Sequence, residues 1–266
     1  MYSLFALIGR RSLAMAGFLG GISKMFYQSN YWTFVGPLRG KGLRWRASIR
    51  QMVVIGFDAV PIVSLISLFI GIIIALQGAY ALRKFGALNF VVDMVAVTIT
   101  RELGPLLTAI IVIGRSGSSF AAEIGTMKVG EEVDALETMG LNPIRFLVVP
   151  RYLAMLIMLP CLTTVADTAG VLGGALFAFV NLGWSLQNYL LRTADSLLMR
   201  DIVSGLIKSL VFAVIITKIG CYEGFAVQGG AEGVGRSTTA SVVKSIFSVI
   251  AADMIFTAIF YYGSEG

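Results

Sequence analysis

The sequence has no histidine and only two cysteines among its 266 residues. Without histidine there are no Ser-His or Cys-His pairs to activate a nucleophile, and the commonest neutral metal ligand is missing. Most hydrolase chemistry is excluded with them, and we expect neither a catalytic residue nor a metal site. The cysteines, Cys161 and Cys221, each lie in apolar sequence, where a thiol behaves as a small buried hydrophobe. We assign them no function.

Charged residues are also scarce. They make up 14% of the chain, whereas 57% of the residues are hydrophobic and the mean hydropathy is +0.84. A soluble domain normally has about a quarter of its residues charged, so this composition predicts a membrane protein. The net charge of +6 arises largely from basic residues near the N-terminus, beside apolar sequence. A membrane surface therefore fits this charge better than nucleic acid does.

Five apolar stretches reach the length of about 20 residues that a spanning helix requires. They cover residues 53–79, 91–115, 152–182, 202–222 and 242–262. No composition shift or flexible linker separates them. We predict an all-α integral membrane protein whose five spanning helices form one domain over residues 51–266.

Residues 1–50 form a basic segment without any acidic residue. Its first part mixes aromatic and basic side chains, and its uncharged runs are too short to cross a bilayer. This pattern predicts an interfacial helix on the inner leaflet, and an unstructured basic tail is the alternative. The arginines follow the first apolar stretch, so we expect no cleaved signal peptide. The basic residues are Arg10, Arg11, Lys24, Arg39, Lys41, Arg44, Arg46 and Arg50.

The positive-inside rule sets the expected topology. A cytoplasmic N-terminus followed by five crossings places the loops 116–151 and 223–241 inside. The loops 80–90 and 183–201 then lie outside, and the C-terminus is periplasmic.

The inner loop contains an acidic segment, EEVDALETMGLNP. Its apolar residues recur at three-residue spacing and its acidic residues take the other positions, which predicts a short amphipathic helix over about 131–141. Gly140 would cap this helix and Asn142-Pro143 would end it. So short a helix needs a surface to pack on. That surface is either its own membrane domain or a groove in a soluble partner.

Ionisable residues interrupt the apolar stretches. A charge near the bilayer centre costs about 2.5–3.5 kcal/mol on insertion scales unless it is paired or hydrated. Two interpretations remain open: an ion-pair network that fixes helix packing, or a polar cavity that receives a lipid headgroup. In the second, Arg101 is the natural partner of a phosphate. The lipid-binding candidates are Arg101, Glu102, Asp167, Lys208 and Asp253.

A glycine-rich stretch, GAEGVGRST, has the spacing of a phosphate-binding loop. Arg236 stands where that motif has lysine, and no strand precedes the stretch. We predict a compact turn instead, with Ser237 or Thr238 capping the last spanning helix. The chain then has no nucleotide site, and no cofactor of its own.

Several blocks together resemble the MlaE-type permease family, the membrane subunits of ABC lipid transporters that work with MCE-domain proteins. The resemblance covers roughly residues 50–262. Its blocks are ELGPLLTAIIVIGRSGSSFAAEIGTMKVGEEVDALETMGLNPIRFLVVPR, LPCLTTVADTAGVLGG and GAEGVGRSTTASVV. It implies that the segment 132–143 is a coupling helix that docks on an ATPase. The docking candidates are Glu131, Glu132, Val133, Asp134, Leu136, Glu137, Met139 and Pro143.

The resemblance also implies a non-catalytic subunit in a bacterial inner membrane. It would form a homodimer with a lipid cavity at the dimer interface, bind two copies of an ATP-binding ATPase, and face an MCE-domain ring in the periplasm. A STAS-domain subunit often joins the ATPase. The transported substrate would be phospholipid, moved between the inner and outer membranes to maintain lipid asymmetry.

Two other classes would also account for charges within the membrane. An ion-coupled secondary carrier would use such residues, but it would not need the helix at 131–141 and would transport without an ATPase. An intramembrane lipid-modifying enzyme would have to use carboxylates as its catalytic bases, because the chain has no histidine.

Overall fold

The computed structural model of the chain describes Gly17, residues 20–36 and residues 42–262. Within these residues the regular structure is entirely helical. The predictions for residues 1–16, 18–19, 37–41 and 263–266 lie outside the described part of the chain.

Eight helices follow one another in the described part of the chain, and we number them in chain order. Five of them are long and apolar enough to cross a membrane: α2, α3, α5, α7 and α8. The predicted all-α membrane protein with five spanning helices is confirmed. The helices are α1 (20–36), α2 (Trp45–Arg83), α3 (Phe90–Val129), α4 (Glu132–Thr138), α5 (Ile144–Leu182), α6 (Leu186–Ser196), α7 (Met199–Phe225) and α8 (Gly230–Tyr262).

Helix α5 lies at the centre of the bundle and packs against α2, α3 and α7. Its contact with α2 is close because glycines face each other across it. A Cβ atom on Gly71 would overlap the backbone of Gly170, and one on Gly173 would overlap the carbonyl group of Leu68. Small residues at such spacing let helix backbones approach where no hydrophobic effect drives them together.

The last helix begins earlier than the sequence predicts. Helix α8 starts at Gly230, so Ser237 and Thr238 lie inside it, and the Thr238 hydroxyl donates to the carbonyl oxygen of Val234 at 2.7 Å. The predicted cap at these residues is therefore wrong. The turn before α8 is short because Gly229 and Gly230 adopt φ of +89° and +72°, a region that glycine enters without steric cost.

Helix α1 is fixed to the bundle by a buried lysine. Lys218 of α7 donates a hydrogen bond to the Ser29 hydroxyl, and its Nζ lies 3.5 Å from the ring centroid of Tyr152 on α5. Met25 is buried in the main apolar core. The described part of the basic segment thus packs on the end of the bundle that carries α4, which we term the α4 end.

Helix α6, at the opposite end, was not predicted. The hydroxyl of Ser185 caps it by accepting from the backbone N–H of Asn188 at 3.2 Å. Tyr189 is buried against α3 and α5, and Arg192 binds both carboxylate oxygens of Asp93 at 3.0 and 2.8 Å. The signal in the sequence was the Ser185 cap followed by apolar residues at helical spacing.

Candidate functional site

A π-helical turn in α3, Ile99–Leu103, carries two of the predicted site residues. The N–H of Gly104 donates to the carbonyl oxygen of Ile99, five residues earlier. Pro105 has no N–H to donate to the carbonyl group of Arg101, four residues before it, so the regular α-helical pattern cannot continue here. The wider turn directs Arg101 and Glu102 towards different neighbours.

Glu102 belongs to a cluster centred on Lys208, which is fully buried. The Lys208 ammonium group lies 2.5 Å from Glu102 Oε2, 3.0 Å from Asp253 Oδ1 and 2.8 Å from the Thr257 hydroxyl. The contacts with Glu102 and Thr257 are hydrogen bonds, whereas the contact with Asp253 is an ion pair whose Oδ1 atom accepts no hydrogen bond among the described residues. We term these four residues the Lys208 cluster. It joins α3, α7 and α8 with two carboxylates and one cation.

The Lys208 cluster borders a cavity of about 560 Å³. Glu102, Asp253 and Thr257 lie on its polar side, and the rest of the lining comes from apolar and aromatic residues of α8. These apolar and aromatic residues of α8 are Ile250, Met254, Ala258, Tyr261 and Tyr262. An amphipathic molecule is the kind of ligand that such a lining suits.

Arg101 does not line this cavity. Its guanidinium group lies 3.9 Å from the carboxylate of Asp201, which is buried at the start of α7. Asp201 also accepts a hydrogen bond from the Leu198 N–H at 3.2 Å. Asp201 was not among the predicted site residues, because it lies one residue before the apolar stretch 202–222.

Asp167 also lies apart from the Lys208 cluster. It borders a separate, largely apolar groove of about 460 Å³ between α5, α6 and α7. Its Oδ1 atom is buried next to Gly104 and has no hydrogen-bond partner among the described residues. The five lipid-binding candidates are therefore divided among three places.

The predicted amphipathic helix is α4, which covers Glu132–Thr138. Glu131 precedes it with φ of +59°, and Gly140 follows it with φ of +74°. Val133 and Leu136 are buried in a small cluster with Leu147 of α5. Burying two such side chains contributes roughly 1.5–3 kcal/mol each. These two docking candidates pack on their own chain and are not available to a partner.

The other face of α4 is exposed and acidic. Glu131, Glu132, Asp134 and Glu137 are exposed, as is Met139, and the only ion pair among these acids in the described structure joins Asp134 to Lys128 at 2.6 Å. An apolar residue next to several acids offers a partner both contact area and charge.

Pro143 belongs to the start of α5. The side-chain oxygen of Asn142 accepts from the N–H groups of Ile144 and Arg145 at 3.0 and 3.2 Å. Asn142 therefore both follows α4 and caps the next helix. The short connections place α4 directly between two spanning helices, α3 and α5.

Comparison with known proteins identifies the family. The family described as Permease MlaE matches residues 48–259. This chain belongs to that family. A probable ABC transporter permease of Rickettsia prowazekii is 43% identical over 213 residues, which cover 80% of this chain and 82% of the relative. The chain is therefore a multi-pass permease of the ABC transporter type, and membership implies an ATPase partner.

Two further relatives have more specific names. The intermembrane phospholipid transport system permease protein MlaE of Haemophilus influenzae is 36% identical over 219 residues, 80% of this chain and 82% of the relative. The chloroplastic protein TRIGALACTOSYLDIACYLGLYCEROL 1 of Arabidopsis thaliana is 37% identical over 227 residues, 85% of this chain and 65% of the relative.

Proposed function

We propose that this chain is the non-catalytic permease subunit of an ABC transporter that moves phospholipids between the inner and outer membranes and so maintains outer-membrane lipid asymmetry. The observation that carries the proposal is the Lys208 cluster on the polar side of a cavity whose other side is apolar. The Haemophilus influenzae relative is named as a permease of intermembrane phospholipid transport. The chain would lie in a bacterial inner membrane with its N-terminus cytoplasmic and its C-terminus periplasmic.

The lining of the cavity supports a phospholipid substrate. Glu102, Asp253 and Thr257 offer oxygen atoms to the polar headgroup, and Ile250 and Met254 of α8 offer apolar contact to the acyl chains. The Lys208 cluster has a formal charge of −1, from two carboxylates and one ammonium group. Such a site favours a headgroup that brings its own hydrogen-bond donors.

The exposed side of α8 supports a homodimer. Its apolar stretch is the least buried among those of the five spanning helices. Val243, Phe247, Ile250 and Met254 are all exposed along it. A second copy of the chain packed on this side would close the cavity at the dimer interface and bring two Lys208 clusters to one lipid chamber.

The acidic face of α4 supports docking of the ATPase. Two copies of that subunit would bind and hydrolyse ATP, and this chain would hold no cofactor. An MCE-domain ring would receive lipid on the periplasmic side, and a STAS-domain subunit would accompany the ATPase. The rigid connection of α4 to α3 and α5 would convert movement of the ATPase into movement of the spanning helices.

Charge reversal on α4 tests the proposal. Glu132→Lys changes the exposed face without touching the buried one, and Asp195→Lys makes the same kind of change at an exposed position of α6, at the other end of the bundle. Each variant would be co-purified with the ATPase, and ATP-driven phospholipid transfer would be measured in proteoliposomes. We expect Glu132→Lys to weaken ATPase binding about tenfold or more, and Asp195→Lys to leave it unchanged.

Other outcomes of this experiment would contradict the proposal. Transport that continues without ATPase and follows an ion gradient would indicate a secondary carrier. Chemical conversion of phospholipid by the purified chain alone would indicate an enzyme.

A further inference from the structure

A second polar cavity, of about 410 Å³, lies at the α4 end of the bundle. It is formed where the start of α2, the end of α3 and the start of α5 meet. Its polar lining comes from Arg44, Arg50, Gln51, Glu123 and Arg151. We term it the arginine cavity.

The arginine cavity has an excess of positive charge. Its only lining carboxylate, Glu123, binds Arg151 at 2.5 Å and accepts a hydrogen bond from Ser119 at 2.7 Å. Arg44 and Arg50 form no ion pair within the described part of the chain. Two of its three cations are thus not balanced by an acid, and an anion is the ligand that this charge favours.

Two of the arginines are already held in place. Arg151 is 7% exposed and donates to the carbonyl oxygen of Leu147 at 2.8 Å, but its buried Nε has no acceptor among the described residues. Arg44 donates to the carbonyl oxygen of Phe146 at 3.2 Å, and its guanidinium group lies 3.5 Å from the centroid of the Phe146 ring. Fixed guanidinium groups with free N–H donors match the oxygen atoms of a phosphate.

The surroundings of the cavity indicate a lipid. Trp45, Ile49 and Val53 of α2 are exposed on the same turns that carry the arginines. A tryptophan followed by exposed aliphatic residues is typical of a helix that enters a bilayer at its interface. Basic pockets between spanning helices at this depth recognise anionic headgroups. A lipid whose headgroup lies in the arginine cavity would therefore extend its acyl chains along Ile49 and Val53.

We propose that the arginine cavity binds the phosphate headgroup of an anionic phospholipid from the leaflet at the α4 end. This site is separate from the cavity that the Lys208 cluster borders, which we term the Lys208 cavity, and the two share no lining residue. Along α3, Glu102 and Glu123 are roughly 30 Å apart at 1.5 Å per residue. The bound lipid would tie α2 to α5 beside the connection from α4, whether or not this chain transports lipid.

The experiment is a lipid titration of the delipidated, full-length protein by native mass spectrometry, with dioleoyl-phosphatidylglycerol as the probe. The test variant is Arg44→Gln with Arg50→Gln. The matched control is Arg46→Gln, an exposed arginine of α2 that does not line the cavity. An arginine that contacts the headgroup contributes about 1 kcal/mol to binding an anionic lipid, which is about fivefold in affinity, and Arg46 lies outside the cavity. We therefore expect a loss of roughly thirtyfold in the double variant and no change in the control.

Two further measurements make the outcome decisive. A photoactivatable phosphatidylglycerol should label residues 44–55, and labelling confined to α8 would place the lipid in the Lys208 cavity and overturn the proposal. Dioleoyl-phosphatidylcholine should bind more weakly than phosphatidylglycerol. Equal binding of the two lipids, displacement by equimolar inorganic phosphate, or unchanged affinity in a folded Arg44→Gln, Arg50→Gln variant would each overturn it as well.

Discussion

The Lys208 cluster and the acidic face of α4 both concentrate charge, but the charges differ in burial and in pairing. In the cluster the cation is fully buried and each carboxylate contacts it. On α4 the acids are exposed, and only Asp134 has a partner in the described structure. Buried charge must be balanced within the chain, whereas exposed charge can remain unbalanced. The first arrangement shapes a cavity, and the second is free to meet another protein.

Removing the central cation should have the largest effect. Lys208→Met leaves Glu102 and Asp253 facing each other without their shared partner. Removing one partner of a buried ion pair lowers the free energy of unfolding by roughly 3–5 kcal/mol. We expect a large drop in the yield of folded protein and in its thermal midpoint in detergent.

Neutralising Glu102, Lys208 and Asp253 together distinguishes the effect of charge from the effect of packing. The variant Glu102→Gln, Lys208→Met, Asp253→Asn removes the charges with little change in volume, so it should recover most of the stability that Lys208→Met loses. A triple variant as unstable as the single one would show that shape, and not charge balance, holds this cluster together.

The two faces of α4 should differ in their response to the same new charge. Leu136→Asp places a carboxylate in the buried cluster with Val133 and Leu147, and we expect it to destabilise the α4 loop by about 3 kcal/mol. Met139→Asp adds the same charge to an exposed position and should change stability by less than about 0.5 kcal/mol. Limited proteolysis of the loop measures the difference. Equal protection in the two variants would contradict the burial of Leu136.

A partly exposed pair should show an intermediate effect. Arg101→Gln removes the partner of Asp201, which is buried but keeps its hydrogen bond from the Leu198 N–H. We expect a loss of about 1–2 kcal/mol, measured as the shift of the thermal midpoint. If Arg101 instead contacts substrate directly, lipid binding will fall while stability stays at the wild-type value.

The Arg192–Asp93 pair at the other end of the bundle should show the smallest effect. Its geometry is bidentate, but both side chains are about a third exposed. Exposed pairs contribute about 0.2–1 kcal/mol. A double-mutant cycle of Arg192→Gln and Asp93→Asn in detergent should give a coupling energy in this range. A value near that of the Lys208 cluster would remove the contrast between buried and exposed charge.

The five spanning helices and the position of α4 were predictable because both depend on patterns along the sequence. Apolar length predicted the five spanning helices, and the spacing of Val133 and Leu136 predicted a short amphipathic helix. The direction in which its apolar side faces was not predictable, because the same stripe suits the chain itself or a partner. In the structure Val133 and Leu136 pack against other residues of the same chain, and Met139 is exposed.

The grouping of the membrane charges could be predicted only in part. Residue counting estimates how deep a side chain lies, but it does not give the direction in which the side chain points. Glu102, Lys208 and Asp253 do meet, whereas Arg101 lies against Asp201 and Asp167 borders another groove. The π-turn at Ile99–Leu103 changes the register of α3, and a pattern analysis that assumes a regular helix cannot anticipate this change.

Phospholipid transfer by the triple variant Glu102→Gln, Lys208→Met, Asp253→Asn is the most direct test of the account. The variant would be reconstituted with the ATPase in proteoliposomes, and ATPase retention would be measured on the same sample. We predict that the ATPase stays bound, because α4 is unchanged, and that ATP-driven transfer falls roughly tenfold or more. Transfer at the wild-type rate with the ATPase bound would contradict the assignment of the Lys208 cluster to the substrate cavity.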